Sequence, residues 1–183
     1  MVDIIEIDIK EFENTIYEKY INLFPQEEQR QWNKIKDTYN KGLEKFYKVV
    51  LNSITIGFFM LEKSKKEHPY YLDYFGIFRE YQNKGYGTKS IKKLLEKIIG
   101  KNGLCIEIEK ENDNEPITIK RAKFYEKLGF KKVNSEYLLY TVQYTPYVFN
   151  YTNDKKIIDK IMFDYYNMNC GEEEIKANCQ ILK

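Results

Sequence analysis

Two closely spaced glycines, Gly85 and Gly87, stand where an apolar segment gives way to an amphipathic one. Residues 72–77 have the pattern of a strand, and residues 85–100 carry apolar side chains at helical spacing. A turn of this kind presents backbone amides at the positive end of a helix dipole, and such amides bind anions. The pattern therefore predicts a site for the pyrophosphate of a phosphate-bearing cofactor.

The spacing around these glycines distinguishes the turn from two common phosphate-binding motifs. A P-loop places glycine directly before Lys-Ser/Thr, whereas Thr88 separates Gly87 from Lys89 in this chain. A dinucleotide fingerprint requires a third glycine where this chain has Ser90. The remaining pattern is Gln-x-x-Gly-x-Gly, which starts at Gln82. Taken alone, it also fits an ordinary turn between a strand and a helix.

A second motif, Phe-Tyr-Glu-Lys-Leu-Gly-Phe, occupies residues 124–130, and a strand with the sequence Leu-Cys-Ile-Glu-Ile-Glu lies between the two motifs. In order and separation, these segments resemble the GNAT superfamily of acyl-CoA-dependent N-acyltransferases. The resemblance covers roughly residues 1–150. It extends to an uncharacterised bacterial branch that shares Leu-Asp-Tyr at residues 72–74, Glu-x-Glu at residues 107–109 and an arginine at Arg121.

The resemblance implies that the glycine turn wraps the pyrophosphate of coenzyme A and that acetyl-CoA is the co-substrate. Two backbone amides of the preceding strand, two residues apart and thus on one edge, are expected to receive the acyl and pantetheine groups. Asn83 and Arg79 stand where the family often has Gly and Pro, and neither change removes an amide from the turn. The predicted cofactor-binding residues are Phe75, Ile77, Gln82, Asn83, Lys84, Gly85, Tyr86, Gly87 and Thr88.

Acetyl transfer to an amine needs a proton donor for the departing thiolate and a group that binds the amine and takes its proton. The resemblance gives the donor role to Tyr125, whose alternative role is that of a core aromatic. Asp73 shares strand parity with the two acyl-binding amides, and Glu107 on the neighbouring strand is expected to face it. Two carboxylates there would anchor a cationic amine and take its proton through water. The alternative for each is an exposed strand acid or an ion pair with Arg121 or a lysine.

Three other residues have weaker chemical roles in this interpretation. Arg121 is a candidate for orienting one of the two carboxylates or for binding an acidic group of the substrate. His68, which precedes Pro69, fits a loop position better than the role of general base. Cys105 would be the nucleophile of a ping-pong route, but direct transfer in a ternary complex is the leading prediction.

The predicted reaction transfers the acetyl group of acetyl-CoA to a primary amine of a small molecule or peptide. Aromatic residues in the regions that form acceptor pockets in the family suit a cationic amine, although tyrosine-rich strands are also good sheet formers. These residues are Phe24, Trp32, Tyr70, Tyr71, Tyr137, Tyr140 and Tyr144. The alternative from another class is a catalytically idle domain of the same fold that binds coenzyme A or a protein partner.

Composition narrows the remaining classes. The 183-residue chain has a formal net charge of +2 and no basic stripe, which argues against nucleic-acid binding. Three cysteines cannot pair completely, and a single histidine leaves no zinc-ligand spacing, so no metal is predicted. No apolar run approaches the roughly 20 residues of a membrane span, and residues 2–10 do not have the pattern of a signal peptide. We therefore expect a reduced, cytoplasmic protein.

Periodicity predicts the order β-α-α-β-β-β-α-β-α-β-β, an α/β (α+β) fold with a mixed, largely antiparallel central sheet flanked by helices. We expect strands at residues 2–9, 46–51, 54–61, 70–77, 104–109, 131–142 and 147–151, and helices at residues 11–23, 25–38, 85–100 and 117–128.

The predicted domains are a GNAT-like acetyltransferase domain over residues 1–152 and a C-terminal helical extension over residues 153–183, packed on the same domain. Asp154 can cap a helix that ends near Gly171, and Ile175, Cys179 and Leu182 can belong to a further short helix. Alternative roles for this extension are a contact in a homodimer or a cover over the substrate cleft.

Overall fold

The structure is a computed structural model that describes residues 1–63 and 65–183. Its strands are β1 (Val2–Ile7), β2 (Glu44–Leu51), β3 (Ile54–Glu62), β4 (Tyr70–Ile77), β5 (Leu104–Glu109), β6 (Lys131–Lys132), β7 (Tyr137–Leu139), β8 (Val142–Phe149) and β9 (Cys179–Ile181). Its helices are α1 (Ile9–Thr15), α2 (Tyr17–Leu23), α3 (Trp32–Asn40), α4 (Tyr86–Leu94), α5 (Pro116–Lys127), α6 (Lys155–Cys170) and α7 (Glu172–Asn178). A π-helical turn, Leu95–Ile99, continues α4.

Two compact units divide the described residues, and the first contains residues 1–63 and 72–100. Its strand order is β1-β2-β3-β4, with β1 and β3 both antiparallel to β2. The fully buried ring of Phe12 in α1 stacks on Phe46 in β2, with ring centroids 4.3 Å apart, and meets Phe58 in β3 edge-on. Alternating apolar residues of the strands therefore bury one face against the amphipathic N-terminal helices.

The second unit contains residues 65–71 and 101–183. Strand β5 runs antiparallel to β8, which also pairs with β6 and β7, and β7 pairs with β9. Two residues of β4, Tyr70 and Tyr71, pair in parallel with Leu104 and Cys105. Helix α6 buries one face, which includes Ile161. This face packs in a core cluster with residues of β5 and β8. The prediction of a mixed, largely antiparallel sheet with flanking helices and C-terminal helices is confirmed.

The N-terminal helices differ from the sequence prediction. The single helix expected over residues 11–23 is two helices, because Ile16 has a non-helical backbone and separates α1 from α2. The helix expected from Pro25 to Thr38 is also wrong. Pro25 leads into only a short 3-10 turn, Gln26–Glu28, and α3 begins at Trp32. The extended segment between them places Arg30, whose N–H donates to the Tyr20 hydroxyl at 2.7 Å, so a tertiary contact overrides local helix propensity.

The C-terminal part contains more strands than the sequence pattern indicates. The strand expected over residues 131–142 is two short strands, β6 and β7, and the last long strand is β8 rather than residues 147–151. Residues near Cys179 form strand β9 after α7 instead of one further helix. Contacts group α6 and α7 with β5 to β8 in one unit, and the domain boundary after residue 152 stays a prediction.

Candidate active site

The end of β4 and the turn after it supply the predicted cofactor residues of the first unit. Beyond the strand, the N–H of Phe78 donates to the Ile56 carbonyl in β3 at 2.8 Å. Amides in extended chain alternate between the two edges, so the N–H groups of Phe75 and Ile77 point away from β3. The Phe75 ring itself stacks on Phe59 at 4.6 Å. The Phe75 side chain therefore packs in the fold, while the backbone amides of Phe75 and Ile77 lie on the strand edge opposite to β3.

Two glycines allow β3 and β4 to approach closely beside these amides. A Cβ atom on Gly57 would lie 2.4 Å from the Gly76 carbonyl oxygen, which is far inside any normal contact distance. A Cβ atom on Gly76 would in turn lie 3.0 Å from the side chains of Leu23 and Phe58. Glycine at both positions therefore fixes the strand spacing at the end of β4.

The glycine turn has a backbone conformation that ordinary residues rarely adopt. Asn83 has φ +60° and Gly85 has φ +76°, so both lie in the left-handed region. The Gln82 side-chain amide donates to the Ile77 carbonyl at 2.7 Å, which ties the turn to the end of β4. Gln82 is thus a residue that organises the turn.

Helix α4 starts directly after Gly85 and leaves its first amides to other partners. The first intrahelical bond runs from the Lys89 N–H to the Gly85 carbonyl at 3.3 Å, and no side chain within the described residues caps the helix. The amides of Tyr86, Gly87 and Thr88 therefore lie at the positive end of the helix dipole. Lys84 Nζ donates to the Glu80 carbonyl at 2.8 Å. The turn has the geometry of an anion site.

A buried ion cluster surrounds the predicted base Asp73 in the first unit. The Arg30 guanidinium Nη1 contacts Asp73 at 2.6 Å, Glu62 at 2.7 Å and Glu44 at 3.0 Å, and Nη2 contacts the Thr38 hydroxyl at 2.7 Å. The side chains of Arg30 and Asp73 are only 9% and 10% exposed. Oxygen atoms of the three carboxylates lie within 4.8 Å of one another, and the cation between them is Arg30.

Burial dominates the electrostatics of this cluster. Desolvation raises the pKa of Glu44 to about 7, despite the opposing charge of Arg30. Desolvation also raises the pKa of Asp73, and the three acids together raise the pKa of Arg30 well above its ordinary value despite its own burial. One cation faces three carboxylates, so protonation of the cluster near neutral pH relieves their repulsion. The contacts of Asp73 thus favour a structural ion pair, while its role as base stays a prediction.

The second unit contains the other predicted carboxylate, Glu107, on β5. The Tyr71 hydroxyl donates to Glu107 Oε1 at 2.8 Å, and the Tyr166 hydroxyl donates to Glu107 Oε2. Tyr71 belongs to β4 and Tyr166 to α6. Two phenols from two elements therefore hold both oxygens of this carboxylate.

Tyr125 lies on the buried face of α5 and is 8% exposed. Its ring meets the rings of Phe124 and Phe130 edge-on, with centroids 5.0 and 5.3 Å apart. Burial raises the pKa of Tyr125 to about 12, so the phenol is protonated at neutral pH. The packing of Tyr125 fits a core aromatic. A protonated phenol is also what the proton-donor role requires, and that role stays a prediction.

The structure places the weaker candidates in other contacts. Arg121 forms an ion pair with Glu109 rather than with Asp73 or Glu107, because Glu109 ends the strand next to α5. His68 Nε2 lies 3.8 Å from the Asp164 carboxylate. Burial raises the pKa of the Cys105 thiol to about 12, which opposes its use as a nucleophile.

The predicted aromatic pocket residues also have structural partners. Trp32 packs on Tyr17 with centroids 4.6 Å apart, and Phe24 packs on Tyr74 at 5.0 Å, both in the first unit. In the second unit the Tyr137 hydroxyl donates to Asp159 at 2.7 Å. Their use in an acceptor pocket stays a prediction.

Sequence reasoning missed four residues in the surroundings of the two candidate carboxylates. They are Arg30, Glu44, Glu62 and Tyr166. Glu62 directly follows the apolar run 56–61, and a charged residue at the end of a buried strand is a signal for an internal ion pair. The other three carry no local signal.

A comparison with known protein families identifies the family of this chain. The sequence matches the Acetyltransferase (GNAT) family over residues 5–130, which is more than half of the chain. The chain belongs to the GNAT acetyltransferase family. The resemblance inferred from the two motifs is therefore confirmed, and no curated protein matches this GNAT chain.

Solved structures share the fold at low sequence identity. A protein from Bacteroides thetaiotaomicron assigned to the GNAT family has a TM-score of 0.80 and 19% identity, and the match covers 92% of this chain and 98% of that one. Arabidopsis thaliana NAA60 in complex with acetyl-CoA has a TM-score of 0.63 and 14% identity, covering 81% and 98%. The ribosomal-protein-S18-alanine N-acetyltransferase of Escherichia coli has a TM-score of 0.60 and 14% identity, covering 81% and 92%. These likenesses support the fold.

A search for membrane-spanning helices among the described residues finds none that is long and apolar enough.

The left-handed turn gives a binding prediction. Replacing Gly85 with alanine places an L residue at φ +76°, which costs about 1–2 kcal/mol. If the backbone relaxes to relieve this strain, the turn amides change direction. We expect Gly85→Ala to weaken acetyl-CoA binding about tenfold by titration calorimetry. Gly42→Ala is the matched control, because Gly42 has φ +71° and open space around it but lies elsewhere in the unit. Equal loss of affinity in both variants, or in neither, would contradict the assignment.

The ion cluster gives a stability prediction. The folded-state pKa of Glu44 is raised from 4.5 to about 7, so the folded protein binds this proton more tightly and loses stability as pH rises through that window. Relative to wild type, Glu44→Gln should therefore gain stability between pH 5 and pH 8, on the order of 1–3 kcal/mol or a few degrees in melting temperature. Thermal unfolding at both pH values measures this difference.

The control for Glu44→Gln is Glu6→Gln, since Glu6 is an exposed glutamate paired with Lys45. Its stability relative to wild type should change little between the two pH values. A pH-independent effect of Glu44→Gln would show that Glu44 is ionised throughout, contrary to its burial beside Asp73.

Proposed function

We propose that this GNAT chain transfers the acetyl group of acetyl-CoA to a primary amine in a ternary complex. The observation that carries the proposal is the turn at residues 82–88, whose left-handed Gly85 precedes a helix with uncapped amides in the described structure. An anionic pyrophosphate suits such amides. Family membership supports the acyl chemistry, and the fold neighbour NAA60 was solved with acetyl-CoA.

The proposed cofactor contacts are made mainly by the backbone. The turn residues Gln82 to Thr88 surround the pyrophosphate, with Asn83, Lys84, Tyr86 and Gly87 among them. The N–H groups of Phe75 and Ile77 bind the pantetheine and the acyl oxygen, where negative charge develops during attack. Backbone donors suit this task because the fold holds them fixed before the reaction begins.

In the proposed reaction, the bound ammonium first gives one proton to Glu107, which releases it to solvent, and the resulting neutral amine nitrogen attacks the thioester carbonyl carbon. A C–N bond forms, the C–S bond breaks, and the sulfur takes the bond's electron pair as a thiolate. The Tyr125 phenol gives its proton to that thiolate, and Glu107 receives the proton that the amine loses, directly or through a water. Solvent returns a proton from Glu107 to the tyrosinate, so the products are an amide and the free thiol of coenzyme A.

The proposed acceptor is an amine of a small molecule or peptide that arrives as a cation. Glu107 supports this class, because both its oxygens accept hydrogen bonds from phenols, which hold the carboxyl group in one orientation. A carboxylate attracts an ammonium group and can then take its proton. Asp73 is the second acid in this proposal, and its ion pair with Arg30 makes it the less accessible of the two. A homodimer and a cytoplasmic location stay predictions.

The catalytic role of Tyr125 is tested by thiol release from acetyl-CoA with a panel of cationic, neutral and acidic amines. On the best acceptor we expect Tyr125→Phe to lower kcat about 100-fold while the dissociation constant of acetyl-CoA changes little, because only the proton donor is lost. Tyr147→Phe is the matched control in the same unit. Tyr147 is fully buried, and its hydroxyl has no hydrogen-bond partner among the described residues.

Each outcome of this assay bears on a separate part of the proposal. Unchanged kcat in Tyr125→Phe removes this tyrosine from the mechanism. Reaction with acidic or neutral amines alone contradicts the cationic acceptor. Binding of acetyl-CoA without thiol release for any amine favours an idle domain that binds coenzyme A.

A further inference from the structure

The C-terminal helix α6 contributes a side chain to the candidate site on β5. The Tyr166 hydroxyl donates to Glu107 Oε2, and the two residues are 59 positions apart in the sequence. On the other side, the Tyr71 hydroxyl donates to Oε1 at 2.8 Å. Thus each carboxylate oxygen accepts from a different phenol, which fixes both the position and the rotation of the group.

We propose that Tyr166 is a positioning residue, one that holds the Glu107 carboxylate in place for its contact with the cationic acceptor amine. The inference rests on the proposed function and extends it, because it makes the C-terminal helix part of the catalytic apparatus. Tyr71 has the same role from β4.

Packing around Tyr166 leaves its hydroxyl little freedom. The residue is 3% exposed, and its ring meets the rings of Tyr137 and Phe163 edge-on, each with a centroid distance of 6.0 Å. Aromatic rings in this arrangement hold one rotamer. The hydroxyl is therefore aimed at Glu107 by the core and does not depend on the hydrogen bond alone for its orientation.

Helix α6 is itself anchored by two residues that precede Tyr166. The neighbouring Tyr165 hydroxyl donates to the Pro69 carbonyl at 2.5 Å. Nearer the start of the helix, Asp159 accepts from the Tyr137 hydroxyl at 2.7 Å and from the Ser135 hydroxyl at 2.6 Å. These bonds fix the helix against β7 and the loop before β4, which is the rigidity that a positioning residue requires.

The titratable groups that interact with Glu107 come from several elements. They are Tyr71 on β4, Tyr166 on α6, Tyr137 on β7 and Cys179 on β9. Burial, followed by the charge of Glu107, raises the pKa of Tyr166 well above its usual range and that of Cys179 to about 12. Burial and the bond to Asp159 raise the pKa of Tyr137. With their pKa values raised, Tyr166, Tyr137 and Cys179 are protonated at neutral pH.

The test compares Tyr166→Phe with Tyr165→Phe in the full-length protein. Both variants remove one buried phenolic hydroxyl from the same helix and keep the ring, but the Tyr166 hydroxyl donates to Glu107 whereas the Tyr165 hydroxyl donates to the Pro69 carbonyl. A hydrogen bond to the ionised carboxylate favours that form, so its loss should raise the pKa of Glu107 by about one unit. Carboxyl-carbon NMR, with Glu107→Gln to assign the signal, measures this pKa without any need for turnover.

Kinetics supply the second readout on the best acceptor amine. In Tyr166→Phe, the acidic limb of the kcat/KM profile should move to higher pH by about the same one unit, so that kcat/KM falls about tenfold on that limb. Tyr165→Phe should leave the limb in place, and acetyl-CoA affinity should be the same in both. Tyr71→Phe, which removes the other phenol, should move the limb in the same direction and serves if Tyr166→Phe fails to fold.

Four outcomes would overturn the inference. A Glu107 pKa that does not change in Tyr166→Phe shows that the hydroxyl does not act on the carboxylate. An equal shift of the limb in Tyr165→Phe shows a general effect of weakened packing. If wild type binds acetyl-CoA but acetylates none of the amines, the proposed function fails and this inference fails with it, whereas turnover with an unmoved limb refutes this inference alone.

Discussion

The left-handed conformation of Gly85 is the constraint on which the proposed cofactor site depends. It ends the turn that follows β4 and starts α4 within one residue, so the first amides of the helix have no acceptor inside the helix. Gln82 ties this turn to the carbonyl of Ile77, next to the strand amides that the proposal assigns to the acyl group. The end of β4 and the start of α4 are therefore coupled through one short segment. In the proposed cofactor site, the amides at the helix start bind the pyrophosphate and the amides at the strand end bind the thioester.

The candidate carboxylates have different partners in the two units. Around Asp73, three carboxylates share one guanidinium, and desolvation pushes the pKa values of Glu44 and Asp73 upward. Around Glu107, two neutral phenols donate to a single carboxylate. The first arrangement locks a segment between helices onto the sheet and leaves little access to its acids. The second orients an acid without cancelling its charge, which is why the proposed mechanism relies on Glu107.

The sequence pattern predicted the parts of the fold that depend on residues close together in the chain. Strands β4 and β5 have the bounds that their apolar runs predict, and α5 begins at Pro116, one residue before the expected position. The glycine turn was predictable because its spacing fixes its backbone. The role of Arg30 was not predictable, because it contacts Glu44, Glu62 and Asp73 over separations of 14, 32 and 43 residues. The pattern around Pro25 indicated a helix, which these contacts prevent. The Tyr166 contact likewise depends on where α6 packs, which no local spacing determines.

Thermal unfolding of the wild-type chain with acetyl-CoA, coenzyme A, ATP or NAD tests the central claim most directly. A ligand at about 100 times its dissociation constant adds about 2.7 kcal/mol to the free energy of unfolding, which is several degrees for a chain of this size. The account predicts a rise in melting temperature with acetyl-CoA and coenzyme A and none with NAD or ATP. No rise with either thioester or thiol, or an equal rise with all four ligands, would contradict a coenzyme A site at the Gly85 turn.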